Sequence, residues 1–171
     1  PYGLVLPPGL HLMDRLDPPV FTPTEKSDTD DPVDASVLTQ DDRYKGAIAL
    51  ARQVYDAGRI HASSCCIEII DTKFEVGFDS DGGVLLADEW LTGDCSRFVR
   101  FEDVRFGIEP PWLDKELFRQ DTVRQWRRPE TPKGTPLIFP DEVIAGGMRA
   151  YRDVLEDLSG FTLKQLQQKL F

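Results

Sequence analysis

The chain has little of what marks a disulfide-rich, membrane-spanning or nucleic-acid-binding protein. Its three cysteines, Cys65, Cys66 and Cys95, are odd in number and form no CxxC spacing. That argues against a secreted disulfide framework and leaves reduced thiols as the expectation. No apolar run approaches the roughly 18 residues that cross a bilayer. The first ten residues, PYGLVLPPGL, carry neither the basic flank nor the cleavage pattern of a signal peptide, so the expected location is cytoplasmic. Positive charge is also in deficit, since twenty Lys and Arg face thirty Asp and Glu for a formal net charge of -10. The overall field therefore repels phosphate backbones and anionic membrane surfaces. Nucleic acid and membrane drop out as expected partners. A phosphorylated small molecule does not, because a local Lys or Arg cluster sets the chemistry of a site.

What is present is an ordinary globular composition. The 171 residues are 40% hydrophobic and 29% charged, which fits one domain or one lobe of a larger protein. Residues 1 to 24 are proline-rich without helical or strand period and read as an extended connection. From Glu25 to Arg43 the chain crowds Asp28, Asp30, Asp31, Asp34, Asp41 and Asp42 together. This is either a solvated loop or a loop presenting Lys26 and an Asp to a ligand. Tyr44, Ile48, Ala51, Tyr55, Gly58 and Ala62 give an amphipathic helix over 41 to 62, with Thr39 and Asp42 as a capping pair. A second helix carries Ile144, Met148, Tyr151, Leu155 and Leu158, opening near Pro140 and Asp141 and closing at Gly160. Thr162 and Gln165 form a capping box ahead of Leu166 and Leu170, and residues 113 to 127 are read as helical with weaker periodicity. Between the first two helices, Cys65 to Val76, the DSDGG turn and Val84 to Trp90 read as one hairpin. The predicted class is α+β, an antiparallel hairpin sheet with flanking helices.

In IIDTKFEVGF strict alternation sends Asp71, Lys73 and Glu75 to one face and Ile70, Thr72, Phe74, Val76 and Phe78 to the other. Members of the charged trio are roughly 6 to 7 Å apart. That spacing suits a carboxylate on Mg²⁺ beside an ammonium on a phosphate oxygen, and it suits equally a solvent-facing strand with weak ion pairs. If Phe78 lies opposite Val84, then Glu75 lies opposite Ala87 and Lys73 opposite Glu89, which adds Glu89 to the charged face. Directly after the second strand, LADEWLTGDCSRF packs Asp88, Glu89, Asp94, Ser96 and Arg97 into ten residues. Arg97 can fork a carboxylate or phosphate, Ser96 can donate, and Asp94 can accept from an amine or sugar hydroxyl. A polar turn in which Asp94 caps its own backbone is the competing reading.

Residues 69 to 98, IIDTKFEVGFDSDGGVLLADEWLTGDCSRF, resemble the signature region of the SAICAR synthetase family. LPPGL at 6 to 10, PPVFTPTEKSDTDDPV at 18 to 33, DKELFRQ at 114 to 120 and the helix around Tyr151 follow in the family's order, so the likeness covers nearly the whole chain. It implies the C-terminal lobe of an enzyme of the ATP-grasp and kinase-like group, occupying residues 1–171. The implied reaction joins L-aspartate to carboxyaminoimidazole ribotide (CAIR) with ATP and Mg²⁺, through an acyl-phosphate, in purine biosynthesis. On that resemblance Asp71 becomes a metal ligand, Lys73 a phosphate contact and Glu75 an ATP-site residue. Asp94, Ser96, Arg97 and Glu89 would lie on the ribotide or aspartate side with Lys26 and Asp31. Lys115 and Arg119 match the family pattern too, although a surface ion pair on a helix explains them equally well.

Three departures accompany the likeness. The family's TPDSSRFW stands here as TGDCSRFV, which places Gly93, Cys95 and Val99 where proline, serine and tryptophan are usual. The usual His-Asp pair of the acidic loop is Asp30-Asp31, and neither His11 nor His61 replaces the histidine. The family's N-terminal ATP-binding lobe is expected to be absent from this chain. A separate N-terminal lobe and a homo-oligomer are both open as partners. A diverged ligase with another amine or acid, and a non-catalytic ribotide- or nucleotide-binding module, are the alternative readings.

Overall fold

Two carboxylates of the acidic stretch are helix caps. Asp34 accepts from the Ser36 N–H at 2.8 Å and opens α1, Ala35–Gln40. Asp41 accepts from the Arg43 N–H at 3.0 Å and opens α2, Asp42–Ser64. The expected Thr39–Asp42 capping pair does not form, because Thr39 sits inside α1 and donates to the Ala35 carbonyl at 3.0 Å. The structure, a computed structural model, describes residues 2–128, 130–132 and 134–170. Pro1 of the extended segment and the Leu170 side chain of the terminal helix lie outside the described residues.

The single long hairpin expected from residue 65 to residue 90 is divided between two sheets. Strand β1, Ile67–Thr72, pairs antiparallel with β4, Ser96–Arg100, while β2, Glu75–Phe78, pairs antiparallel with β3, Val84–Ala87. The β2–β3 register is Glu75 opposite Ala87 and Phe78 opposite Val84, as the turn predicted. Asp79 closes that turn by accepting from Asp81 and Gly83 N–H groups at 2.9 and 2.6 Å. Lys73 falls between the two ladders, and its N–H donates to the Cys95 carbonyl at 2.8 Å, so it does not pair with Glu89.

A bulge settles which way the charged side chains point. Ile69 lies opposite Phe98, yet the next pair is Asp71 opposite Arg97, leaving Ile70 as the extra residue. Without it Asp71 would share the face of the buried Ile67 and Ile69; with it, the parity flips and Asp71 joins Arg97 on the outer face.

The core lies on the inner face of β1 and β4. Ile67, Ile69 and Phe98 pack with Ala62 of α2, Leu113 and Val154, and Tyr55, Leu91 and Leu158 close around them. Val154 belongs to α4, Asp141–Ser159, which ends at Gly160 in the left-handed conformation with φ 70°, where a side chain would be strained. Helix α3, Glu116–Trp126, crosses α4 at Gly147. A Cβ there would lie 2.1 Å from Phe118 Cζ, so only glycine admits the ring. The terminal helix α5, Leu163–Leu170, begins with the expected box, in which Gln165 N–H donates to Thr162 Oγ1 at 3.3 Å and Thr162 N–H to Gln165 Oε1 at 2.8 Å. Among the described residues no helix is long and apolar enough to cross a membrane.

Candidate active site

The chain from Pro23 to Val33 folds back on itself, with Glu25 N–H donating to the Asp31 carbonyl at 3.0 Å and Val33 N–H to the Pro23 carbonyl at 2.9 Å. Asp30 sits at its tip with φ 49°, a left-handed conformation that Asp tolerates better than most side chains. The loop thereby delivers Lys26 and Asp30 to the joint between β1 and β2. Lys26 Nζ lies 2.5 Å from both Glu75 oxygens, and Lys73 Nζ lies 3.1 Å from Asp30 Oδ2 and 3.8 Å from Glu75 Oε1. Glu75 holds the Lys26 ammonium above the ordinary lysine range, chiefly through their hydrogen bond. Lys26, Lys73 and Glu75 are therefore one network. Asp31 points elsewhere, accepting from the Thr29 hydroxyl at 2.8 Å; its neighbour Asp30 takes the place at Lys73.

A second group sits on the outer face of β1 and β4. Both carboxylate oxygens of Asp71 accept from the Arg97 guanidinium, Nε reaching Oδ1 at 3.0 Å, and the guanidinium stacks 5.3 Å from the Trp112 ring centroid. The Asp71 hydrogen bond raises the Arg97 pKa against the opposing effect of partial burial. Behind this pair lies Asp114, fully buried, accepting from Phe98 N–H at 2.9 Å and Glu116 N–H at 2.8 Å. It ties β4 to the start of α3 and so fixes the strand that carries Arg97. Burial pushes the Asp114 carboxyl up, while its two N–H donors pull the other way.

The third group is the loop from Glu89 to Ser96. Glu89 accepts from the Thr92 hydroxyl, Asp94 N–H donates to Thr92 Oγ1 at 3.2 Å, and Asp94 Oδ1 accepts from the Tyr151 hydroxyl of α4. The Lys115 N–H donates to the Gly93 carbonyl at 3.2 Å, which anchors the loop to the N-terminal end of α3 and leaves the Lys115 side chain exposed. Arg119 pairs with Glu116 at 3.5 Å, the surface ion pair on a helix that its spacing allowed. Ser96 does not face outward. It is buried and donates to Thr72 Oγ1 at 2.8 Å across the β1–β4 ladder, so its hydroxyl secures the strand end under the loop.

The sequence reading missed two groups. Asp114 carries a signal, being an Asp two residues ahead of Glu116, the first residue of α3, close to where helix caps concentrate. Tyr151 stands in the sequence as a member of an apolar helix stripe, although a partly buried phenol ordinarily requires a polar partner. No three His, Cys, Asp or Glu side chains among the described residues converge as a metal cage. Asp71, with 53% of its side chain exposed, fits a cation only as one carboxylate alongside phosphate oxygens, which is how Mg²⁺ is ordinarily held at phosphoryl-transfer sites.

The SAICAR synthetase family model matches residues 3–132. The chain belongs to that family. It is 39% identical over 170 residues to the phosphoribosylaminoimidazole-succinocarboxamide synthase of Thermobifida fusca (strain YX), covering 94% of this chain and 54% of that protein. The enzyme of the same name from Pasteurella multocida (strain Pm70) is 37% identical over 166 residues, 92% of this chain and 56% of its own. Among solved structures, SAICAR-synthase from Saccharomyces cerevisiae complexed with SAICAR superposes with a TM-score of 0.76 at 25% identity, over 94% of this chain and 53% of that one. A SAICAR synthetase in complex with ADP gives a TM-score of 0.60 at 25% identity, over 86% and 53%. The α+β fold of this chain is thus the SAICAR synthetase fold, and the chain spans about half the length of the curated relatives it matches.

Proposed function

We propose that residues 1–171 act as the C-terminal lobe of an ATP-dependent ligase that joins L-aspartate to CAIR, forming SAICAR, ADP and phosphate in purine biosynthesis. The observation that carries this reading is the convergence of Lys26, Asp30, Lys73 and Glu75 at one end of β1, with the Asp71–Arg97 fork on its outer face. A free carboxylate is a poor electrophile. Its oxygen first attacks the γ-phosphorus of ATP, ADP departs, and the aspartate nitrogen attacks the acyl carbon, expelling phosphate and losing a proton. Each step crowds negative charge around one phosphoryl group.

The exposed ion pairs of Lys73 and Lys26 are individually weak in water, so a phosphate oxygen competes well with Asp30 and Glu75 for the two ammoniums. Lys73, Asp71 and Glu75 are the proposed catalytic set. Asp71 would hold Mg²⁺, which when bound neutralises phosphate charge. Arg97, steadied on Trp112, would fork a carboxylate or phosphate of the ribotide once freed from Asp71. Asp94, Glu89, Lys26 and Lys115 are proposed for the remaining substrate side, where Asp30 stands in for Asp31 and Ser96 supports the loop from beneath. The two relatives in complex with SAICAR and with ADP support this assignment of ligand classes. ATP contacts are completed by a further lobe, carried on the same polypeptide or on another, and the cytoplasm is the proposed location.

The test uses the complete gene product in an ADP-release assay with CAIR and aspartate. Asp71→Asn is expected to abolish Mg²⁺-dependent turnover with the unfolding midpoint unchanged, and retained turnover would remove Asp71 from the metal role. Gly93 and Cys95, where the family usually has proline and serine, favour as a second reading a ligase for another amine or acid. Higher turnover with a competing acid or amine would decide for it. Ligand binding without ADP release would instead identify a non-catalytic module.

A further inference from the structure

Asp94 is held from two sides. Its N–H is fixed inside the loop by Thr92 Oγ1 at 3.2 Å, and its Oδ1 accepts from the phenol of Tyr151, 57 residues away on α4. Among the described residues, Tyr151 is the α4 side chain that hydrogen-bonds the loop from Glu89 to Ser96. The adjoining residue lets the ring come close: a Cβ at Gly93 would stand 3.0 Å from Tyr151 Cε1 and 3.4 Å from Cδ1, tighter than ordinary carbon contact. Gly93 and Tyr151 also line an apolar groove of about 880 Å³ with Leu91, Leu155 and Leu158, so the Tyr151 ring is flanked by apolar side chains while its hydroxyl reaches the exposed Asp94 carboxylate.

We infer that Tyr151 is a positioning residue for Asp94, aiming its second carboxylate oxygen into the substrate site, with Gly93 making room for the ring. This rests on the proposed ligase reading for what Asp94 meets, although the contact itself is independent of it. Asp94 has two oxygens and the phenol occupies one; the other stays available to an amine or sugar hydroxyl. Without the phenol the side chain regains rotamers that cannot make that contact, which weakens binding without touching the phosphoryl-transfer groups.

The experiment uses the complete gene product. Tyr151→Phe is expected to raise the KM for CAIR or for L-aspartate about tenfold, a charge-assisted hydrogen bond being worth about that factor. ATP KM and kcat should stay within about twofold. In an Asp94→Ala background, which has no acceptor for the phenol, the same change should add nothing. An unchanged KM in Tyr151→Phe, or additive effects in the double variant, overturns the inference while leaving the ligase reading in place. A readout without turnover is the phenol titration of Tyr151 followed by NMR. Its pKa is raised by burial first and then by the Asp94 hydrogen bond, with the charges of Asp94, Asp114 and Glu89 adding to it. Asp94→Asn should lower it, and an unmoved titration shows that the contact is absent. A gene product that neither binds CAIR nor releases ADP overturns the ligase reading alone, and the titration then decides the inference.

Discussion

Asp114 offers the sharpest test of how this structure holds its site. The carboxylate is 0% exposed and satisfies two backbone donors, Phe98 N–H at 2.9 Å and Glu116 N–H at 2.8 Å. Asp114→Ala strands both donors in the interior at about 1–3 kcal/mol each, a loss of about 2–6 kcal/mol from a total that for such domains is about 5–15 kcal/mol. Asp114→Asn keeps one acceptor oxygen and turns an NH₂ toward the other donor, so it should cost about half as much. The pH dependence adds a second check. Burial raises the folded carboxyl above its ordinary value of 3.8, so the native state favours the protonated form. The contribution of this group is fully present below the unfolded pKa and is lost as pH rises through the folded one. Asparagine has no such term, and the gap between wild type and Asp114→Asn should therefore widen as pH falls from 7 towards 4. Urea unfolding at several pH values reads both quantities, provided the m-values agree. An Asp114→Ala protein within about 0.5 kcal/mol of wild type, or a gap that narrows on acidification, would refute the brace.

Arg97→Lys keeps the charge but loses the fork to Asp71 and the stacking on Trp112, and is expected to raise the ribotide KM by about tenfold or more with little change in the unfolding midpoint; equal kinetics would remove Arg97 from the site. Gly147→Ala places a methyl 2.1 Å from Phe118 Cζ and should destabilise by about 1–3 kcal/mol or more as α3 and α4 are forced apart. A neutral denaturation midpoint there would mean that the Phe118 ring swings aside freely.

Helices α2 to α5 were legible in the sequence because their signals are local, whereas α1 lies in the stretch expected to be a loop. The Pro140–Asp141 opening, the Gly160 stop and the Thr162–Gln165 box are each written within four residues, and each stands where expected. The acidic stretch misled for the opposite reason. Its aspartates look alike, yet Asp34 and Asp41 cap helices while Asp30 reaches Lys73 across 43 residues of sequence. The hairpin misled because period-two alternation cannot reveal a bulge. The register of β2 and β3 follows from the DSDGG turn, whereas the β1–β4 pairing is set by tertiary packing of Ile67, Ile69 and Phe98 against Ala62 and Val154. Ser96 shows the cost of reading a polar residue as a ligand contact: the β1–β4 pairing that turns its hydroxyl inward to Thr72 joins residues 24 apart in the chain.

The same packing explains why the site groups lie so open. A folded monomer of 19.4 kDa ordinarily exposes about 8,500 Å², yet this chain exposes 11895 Å². Its buried apolar core is confined largely to the inner face of the β1–β4 pair. The surplus includes Leu85 of β3, 51% exposed, on the same face of the β2–β3 pair as Glu75 and its network with Lys26 and Lys73. Hydrophobic area next to solvent-screened ion pairs is a poor arrangement for a finished active site, because lysine attracts phosphate strongly only where water is displaced. That combination supports the proposed lobe reading: a second lobe seated on the Glu75 face of the β2–β3 pair would cover Leu85 and lower the dielectric around Lys73 and Glu75. Phosphate would then compete with Asp30 for the ammonium more strongly in the closed assembly, and ATP would be committed where CAIR and aspartate are already held.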